Sequence, residues 1–206
     1  MISLFIDTCT SNLLIAVFRD KTLLKQVIKK NDSNLSTVFT STVDNLLNNA
    51  NININDVEKV YVAVGPGSFT GVRIGLTFAK VLAWSKKIPI VPISSLEVLA
   101  SGYDNEILVP ILNARRGYVY AGIYDSDLNI IMDDTYILLD DLKGKLASYQ
   151  DYVYVSCDEF EIIVSNPNYR IEDIIKKHFN DSGVNPHSLV PHYIKRTEAE
   201  EKLEGK

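Results

Sequence analysis

The residues of this 206-residue chain whose types and spacing best suit chemistry are Asp7, Thr8, Thr10 and Ser11, one carboxylate and three hydroxyls interrupted only by Cys9. They stand between the apolar runs Leu4–Ile6 and Leu13–Phe18, so the pattern predicts a strand, a polar turn and a second strand. Amides and hydroxyls at such a turn can cradle a phosphate, and Asp7 is then a candidate acid beside a magnesium ion. The turn carries no glycine, and an aspartate at a strand end also serves simply as a turn former. A second stretch, Gly65-Pro66-Gly67-Ser68-Phe69-Thr70-Gly71-Val72-Arg73-Ile74-Gly75, lies between a strand pattern and a helix pattern. Glycines entering a helix N-terminus suit an anion. The spacing nevertheless fits no phosphate or nucleophile signature. Val72 and Arg73 stand where a P-loop needs lysine and a hydroxyl residue, Gly67 and Gly71 are one residue too far apart for a dinucleotide fingerprint, and Ser68 has Pro66 and Thr70 where a nucleophile elbow needs glycines. A tight turn that lets a helix pack closely on a sheet explains the same glycines.

Other chemistry is sparse. The histidines are His178, His187 and His192, with no two spaced three or four apart as a helical metal pair requires. Cys9 and Cys157 are too few for a disulfide framework, and Cys9 reads as a small packed residue. No serine or cysteine stands beside an evident base. The expectation is therefore no catalytic residue, no metal, and no cofactor held by the chain by itself.

Composition sets the frame for that reading. Hydrophobic residues make up 46% and charged residues 23%, and a chain of this length can bury roughly 70% of its unfolded surface without staples. No apolar run approaches the roughly 20 residues of a membrane span, and the start has no basic-then-apolar leader, so a reduced, cytoplasmic chain with no membrane partner is expected. The net charge of −5 argues against a broad nucleic-acid surface. The basic spots Lys29-Lys30, Arg115-Arg116 and Lys195-Arg196 are each too short for a footprint, so an RNA substrate would need another holder.

The elements that must position these residues repeat. Strands are predicted at Leu4–Ile6, Leu13–Phe18 and Leu23–Ile28, a helix at Asn34–Ala50, a strand at Val60–Val64, a helix at Thr70–Lys86 and a strand at Ile88–Ile93. Ser94 with Glu97 gives a capping-box signature for a helix ending near Gly102. The order then restarts, with strands at Ile107–Leu112, Tyr118–Tyr124 and Ile130–Tyr136, a helix at Leu139–Ala147, a strand at Tyr152–Val155 and a helix at Ile171–Phe179. A βββαβα unit given twice is the layout of an α/β actin/Hsp70/hexokinase-like (ASKHA) fold of two lobes. The N-terminal lobe is expected at 1–100, with 193–206 packing back on it, and a smaller C-terminal lobe at 101–192.

Two helices carry unusual faces. Leu35, Val38, Phe39, Val43, Leu46 and Leu47 form an apolar stripe on the first, while Thr37, Thr40, Ser41, Asp44, Asn45 and Asn48 give the other side a single charge. Such a small, neutral face suits contact with another protein, although a Ser/Thr/Asn-rich chain would show it too. The second helix is apolar on two sides, Val72, Leu76, Ala79 and Ala83 on one and Ile74, Phe78 and Val81 on the other. It is either sandwiched inside the domain or completes its burial against a partner.

The segments Ile6–Ser11, Val64–Leu76 with Ala79-Lys80, Pro92–Glu97, Ala114–Tyr120 and Pro191–Arg196 resemble, in this order, the TsaB (YeaZ) family, and the likeness spans nearly the whole chain. Gly65–Leu76 is its specific part. The resemblance implies an actin-like fold and a non-catalytic role: dimerisation with a TsaD-like catalytic subunit, assembly with a TsaE-like ATPase, and modification of tRNA beside the anticodon. It places the contact on N-lobe helices, which selects Thr37, Thr40, Ser41, Asp44, Phe69, Thr70, Arg73, Ile74, Phe78 and Val81 as partner-binding candidates. It also implies tRNA contact only through the complex and ATP or ADP only at the junction with the partner complex, while the apolar helix face, which seeks burial, makes a homodimer the expectation when the chain is alone. The catalytic relative carries a histidine pair in its N-lobe, and this chain has no histidine before His178. Asn113 stands where the family usually has aspartate. The competing readings are an actin-fold ATPase or kinase using the Asp7 hairpin, and a peptidase, for which no nucleophile or metal set is evident.

Overall fold

The computed structural model describes residues 1–30 and 34–195. The first half runs β1 (Ile2–Asp7), β2 (Asn12–Arg19), β3 (Thr22–Lys30), α1 (Leu35–Asn49), β4 (Val57–Ala63), α2 (Phe69–Lys86), β5 (Ile90–Ile93) and α3 (Ser95–Ala100). The second runs β6 (Ile107–Asn113), β7 (Tyr118–Asp125), β8 (Ile130–Leu138), α4 (Leu139–Leu146), β9 (Tyr152–Val155) and α5 (Ile171–His178). The sheets have strand orders β3-β2-β1-β4-β5 and β8-β7-β6-β9. In each, three antiparallel strands are followed by a crossover helix and a strand parallel to the first. This duplication is the actin-like architecture expected from the pattern. Among the described residues the second sheet has four strands where the first has five. Among the described residues no helix is long and apolar enough to cross a membrane.

The first sheet is covered on both faces, which is why β1 and β2 read as continuous apolar runs. Leu4, Ile6, Leu13, Ile15 and Val17 pack with α1 and α2, while Phe5, Leu14, Ala16 and Phe18 pack with α3, α5 and the second sheet's Leu108, Leu112 and Tyr124. One core therefore joins the two sheets. On α1 the inward positions are Leu35, Phe39, Thr42, Val43, Leu46 and Leu47. Val38, placed in the apolar stripe by sequence, is instead exposed at the rim. Thr42 takes an inward place because its hydroxyl donates to Val38 O at 2.8 Å and needs no outside partner.

Ser94 caps α3, accepting from Leu96 N and Glu97 N. The expected reciprocal half of the capping box is replaced. Glu97 reaches α5, where its Oε1 accepts from Lys177 Nζ at 2.7 Å and His178 Nε2 at 2.9 Å. His178 Nδ1 meets Asp181 Oδ2 at 2.7 Å, so both ring nitrogens face carboxylates and both must donate. Burial alone would favour the neutral ring, but hydrogen bonds and charge from Glu97 and then Asp181 hold the imidazole pKa above its ordinary value. For Glu97, burial pushes the carboxyl up and the two cations more than reverse it, leaving it lowered.

The chain after α5 returns to the first sheet. Val184 bridges Ile90 at the β5 edge, Lys80 Nζ donates to Leu189 O at 2.5 Å, and His192 N donates to Val64 O at 2.7 Å. Residues 196–206, the rest of the segment expected to pack back here, lie outside the described residues, as does Arg196 of the third basic spot.

Candidate functional site

The β1–β2 hairpin and the N-terminus of α2 are locked together. Thr8 Oγ1 donates to Gly71 O at 2.6 Å and accepts from Gly75 N at 3.2 Å, and Ser68 N donates to Cys9 O at 2.7 Å. A Cβ at Gly71 would lie 2.1 Å from Thr8 O, and one at Gly67 2.1 Å from Cys9 O. The glycine run is thus a close approach of helix to hairpin, the packing reading rather than a phosphate loop. Thr8 spends its hydroxyl on this junction. Asp7 lies beneath it, buried, with Oδ1 accepting from Cys9 N at 2.7 Å and Oδ2 without a hydrogen-bond partner among the described residues. Burial pushes its carboxyl up to about 6, against hydrogen bonding from Cys9. Cys9 packs as expected, and burial followed by the Asp7 charge pushes its thiol well up. Among the described residues no group of three His, Cys, Asp or Glu side chains is arranged to hold a metal ion.

Of the four hairpin candidates, only Thr10 and Ser11 reach the cleft between the sheets. That cleft has a volume of about 820 Å³ and is also lined by Ser68, Asn113, Arg115, Tyr120, Asp158 and Lys195. Asp158 accepts from Asn113 N at 2.8 Å. Tying the halves above it, Ser94 donates to Asp134, which also accepts from Tyr124 Oη at 2.6 Å.

A second concavity, about 660 Å³, runs between α1 and α2. Thr40, Phe69, Thr70, Arg73, Ile74, Phe78 and Val81, all singled out from sequence, line it together. Thr37, Ser41 and Asp44 are exposed on α1 but lie outside it, because at 100° per residue they sit about a quarter-turn round the helix from Ser36, Phe39 and Thr40. Sequence reasoning missed Ser36 and Thr77. Thr77 continues the three-and-four spacing from Arg73 and Ile74 to Val81, so the same periodicity points to it. The α2 helix resolves its two apolar sides differently. Val72, Leu76, Ala79 and Ala83 are buried, whereas Phe69 is 52% and Val81 58% exposed. Trp84, one turn on, is 60% exposed. Phe78 meets Phe39 edge-on at 5.2 Å, which closes the groove floor. Phe69 and Thr70 line both groove and cleft, so the two concavities share a wall.

Residues 23–162 match the family model described as TsaD, tRNA N6-adenosine threonylcarbamoyltransferase. The likeness to individual transferases is partial. The Chlorobium phaeovibrioides enzyme is 35% identical over 42% of this chain and 28% of its own length. The Bacillus subtilis tRNA threonylcarbamoyladenosine biosynthesis protein TsaB is 35% identical over 98% of this chain and 97% of its own. The chain belongs to the TsaB family. Its fold agrees: YeaZ from Pseudomonas aeruginosa superposes with a TM-score of 0.78 over 93% of this chain and 99% of its own, at 20% identity. In this TsaB-family chain, the glycine-rich stretch builds the hairpin–helix lock, and the helix it opens forms one wall of the groove.

Proposed function

We propose that this chain is a non-catalytic subunit for tRNA threonylcarbamoyladenosine formation, docking a TsaD-like catalytic subunit in the α1–α2 groove. The observation that carries the reading is the second apolar side of α2. Phe69 and Val81, exposed, and Ile74 and Phe78, half-buried, form a concave strip open in the single chain, with neutral threonines and Arg73 at its edge. A continuous apolar strip rimmed by polar residues is the usual mark of a protein partner. End-to-end likeness to a tRNA threonylcarbamoyladenosine biosynthesis protein supports the pathway, and a TsaD-like subunit is the partner this reading assigns to the groove. In the same reading a TsaE-like ATPase joins the assembly, ATP or ADP sits only at the junction, and tRNA is met through the complex. When the partner is absent the groove closes on a second copy, since an isologous contact buries the same strip twice.

The test is to mix the chain with its TsaD-like protein and measure the mass by light-scattering chromatography, beside the double variant Ile74→Glu, Phe78→Glu. A wild-type heterodimer that is lost in a variant with unchanged circular dichroism is the expected result. The cleft, with the hydroxyls of Thr10, Ser11 and Ser68 beside Arg115 and Lys195, gives the ATPase or kinase reading its own observation. No heterodimer, together with ATP hydrolysis by the isolated chain, would replace the docking reading with that one.

A further inference from the structure

The β6–β7 turn carries two arginines that the docking reading does not use. Arg115 and Arg116 are exposed, and among the described residues neither guanidinium has a hydrogen-bond or ion-pair partner. They and Gly117 hold φ of 67°, 55° and 77°. Turns of this hand favour asparagine and glycine, so the arginines stand there against local preference. From the turn, β7 presents Tyr118 and Tyr120 beside Tyr136 of β8. Tyr118 and Tyr136 stack with ring centres 4.4 Å apart and planes 4° from parallel, and Tyr120 meets Tyr136 at 5.8 Å. Lys195 Nζ stands 5.2 Å from the Tyr136 ring centre. All three tyrosines are half-buried.

In a chain of net charge −5, three cations beside a tyrosine stack are a local reversal. Unpaired guanidinium groups suit phosphates, and partly open rings suit bases of any identity. We infer that this corner of the second lobe contacts single-stranded RNA, with phosphates against Arg115 and Arg116 and a base against the Tyr118–Tyr136 stack. Taking that RNA to be a loop of the tRNA rests on the function proposed above. A free nucleotide shares the chemistry, but the surface is longer than one nucleotide needs. Arg115, Tyr120 and Lys195 line the cleft, whereas Arg116 in the turn and Tyr118 and Tyr136 on the neighbouring strands lie outside its lining. Asp7, the acid a magnesium nucleotide would use at the hairpin, is buried off the cleft, and one oxygen of Asp158 accepts from Asn113 N. Three cations alone bind weakly, which fits a contact that adds to a larger complex rather than a footprint that acts alone.

The experiment is a fluorescence-anisotropy titration of a labelled RNA stem-loop with the full chain and with its complex with the TsaD-like subunit, across a salt series. The Arg115→Glu, Arg116→Glu double variant is expected to bind about tenfold more weakly, and its log–log salt slope to fall by about 1.4, the value for two phosphates on a single strand. Tyr118→Ser is expected to weaken binding about tenfold with the salt slope unchanged. Chromatographic heterodimer formation stays intact in both, which separates this contact from docking. Affinity equal to wild type in the double arginine variant would overturn the proposal. So would complete displacement of the stem-loop by ATP·Mg, which would assign the corner to a mononucleotide. Loss of the wild-type heterodimer would sink the docking reading alone, and the titration of the isolated chain would still decide this one.

Discussion

The guanidinium carbon of Arg73 sits 3.7 Å from the centre of the Phe69 ring. Arg73 Nε also donates to Tyr193 Oη at 2.8 Å, and Tyr193 stacks on Phe69 with ring centres 5.5 Å apart. An exposed aromatic ring held on two sides loses little freedom when a partner covers it, so this clamp pre-organises the groove's mouth. Arg73→Ala is therefore expected to weaken binding of the TsaD-like subunit by about 1–2 kcal/mol, while Tyr193→Phe, which keeps the stack, costs about 0.5 kcal/mol or less. Isothermal calorimetry of both variants checks this. Wild-type affinity in Arg73→Ala would show that Phe69 needs no clamp.

The tie between α3 and α5 predicts a stability profile. A histidine whose folded pKa is raised contributes fully below its ordinary value of 6.5 and loses that contribution as pH climbs through the folded value. Glu97, lowered, contributes fully above its ordinary value of 4.5 and loses its share only as pH falls further. The pair is thus strongest between those limits, and stability is expected to decline on the alkaline side, as pH rises above the ordinary histidine value of 6.5 and through the raised folded one. Urea unfolding across that range should show the slope in the wild type and a flatter one in His178→Gln. An unchanged slope in the variant would assign the decline to other groups.

How much of this was legible beforehand varies with the physics behind each feature. Strand and helix order followed from apolar periodicity, and the second stripe of α2 was readable because Ile74, Phe78 and Val81 keep helical spacing. Which α1 residues face the groove was not, since Thr37, Thr40, Ser41 and Asp44 look alike in sequence and only the crossing of α1 over α2 selects Thr40. Thr8 and Asp7 look like phosphate ligands by type. Their real partners, Gly71, Gly75 and Cys9, depend on how closely the helix approaches the hairpin. Glu97 read as a capping residue because three-residue spacing is local, whereas the competing partners Lys177 and His178 are eighty positions away.

Asp7 is the buried acid whose ionisation the fold opposes. Its unfolded carboxyl titrates near 3.8 and its folded one at about 6, so stability falls as pH rises through that interval, by roughly 3 kcal/mol in all. Asp7→Asn keeps an acceptor for Cys9 N and removes the charge, but its new amide needs a partner. A net gain of about 1–2 kcal/mol is expected at about pH 8, vanishing by about pH 4. Denaturant titrations at the two pH values measure it. A loss of stability at the higher pH would mean that the charged form is held by something the geometry does not reveal.

The two glycine environments give the sharpest test of the hairpin–helix lock. Gly71→Ala would put a methyl 2.1 Å from Thr8 O and 3.2 Å from Ser68 Cβ, and the first obstacle is backbone. Relief requires lifting α2 from the hairpin, which also breaks the Thr8 bonds to Gly71 and Gly75, so a loss of about 3 kcal/mol or more is expected. Gly144 lies exposed in α4, with nothing within 4 Å of where its Cβ would go. There the same substitution should stabilise by about 0.5–1 kcal/mol through helix propensity alone. Measuring both by urea unfolding separates a glycine kept for close approach from one that is merely tolerated. If Gly71→Ala proved as stable as wild type, the run Gly67–Gly75 would have to be kept for a ligand at the hairpin, and the ATPase reading would regain its loop.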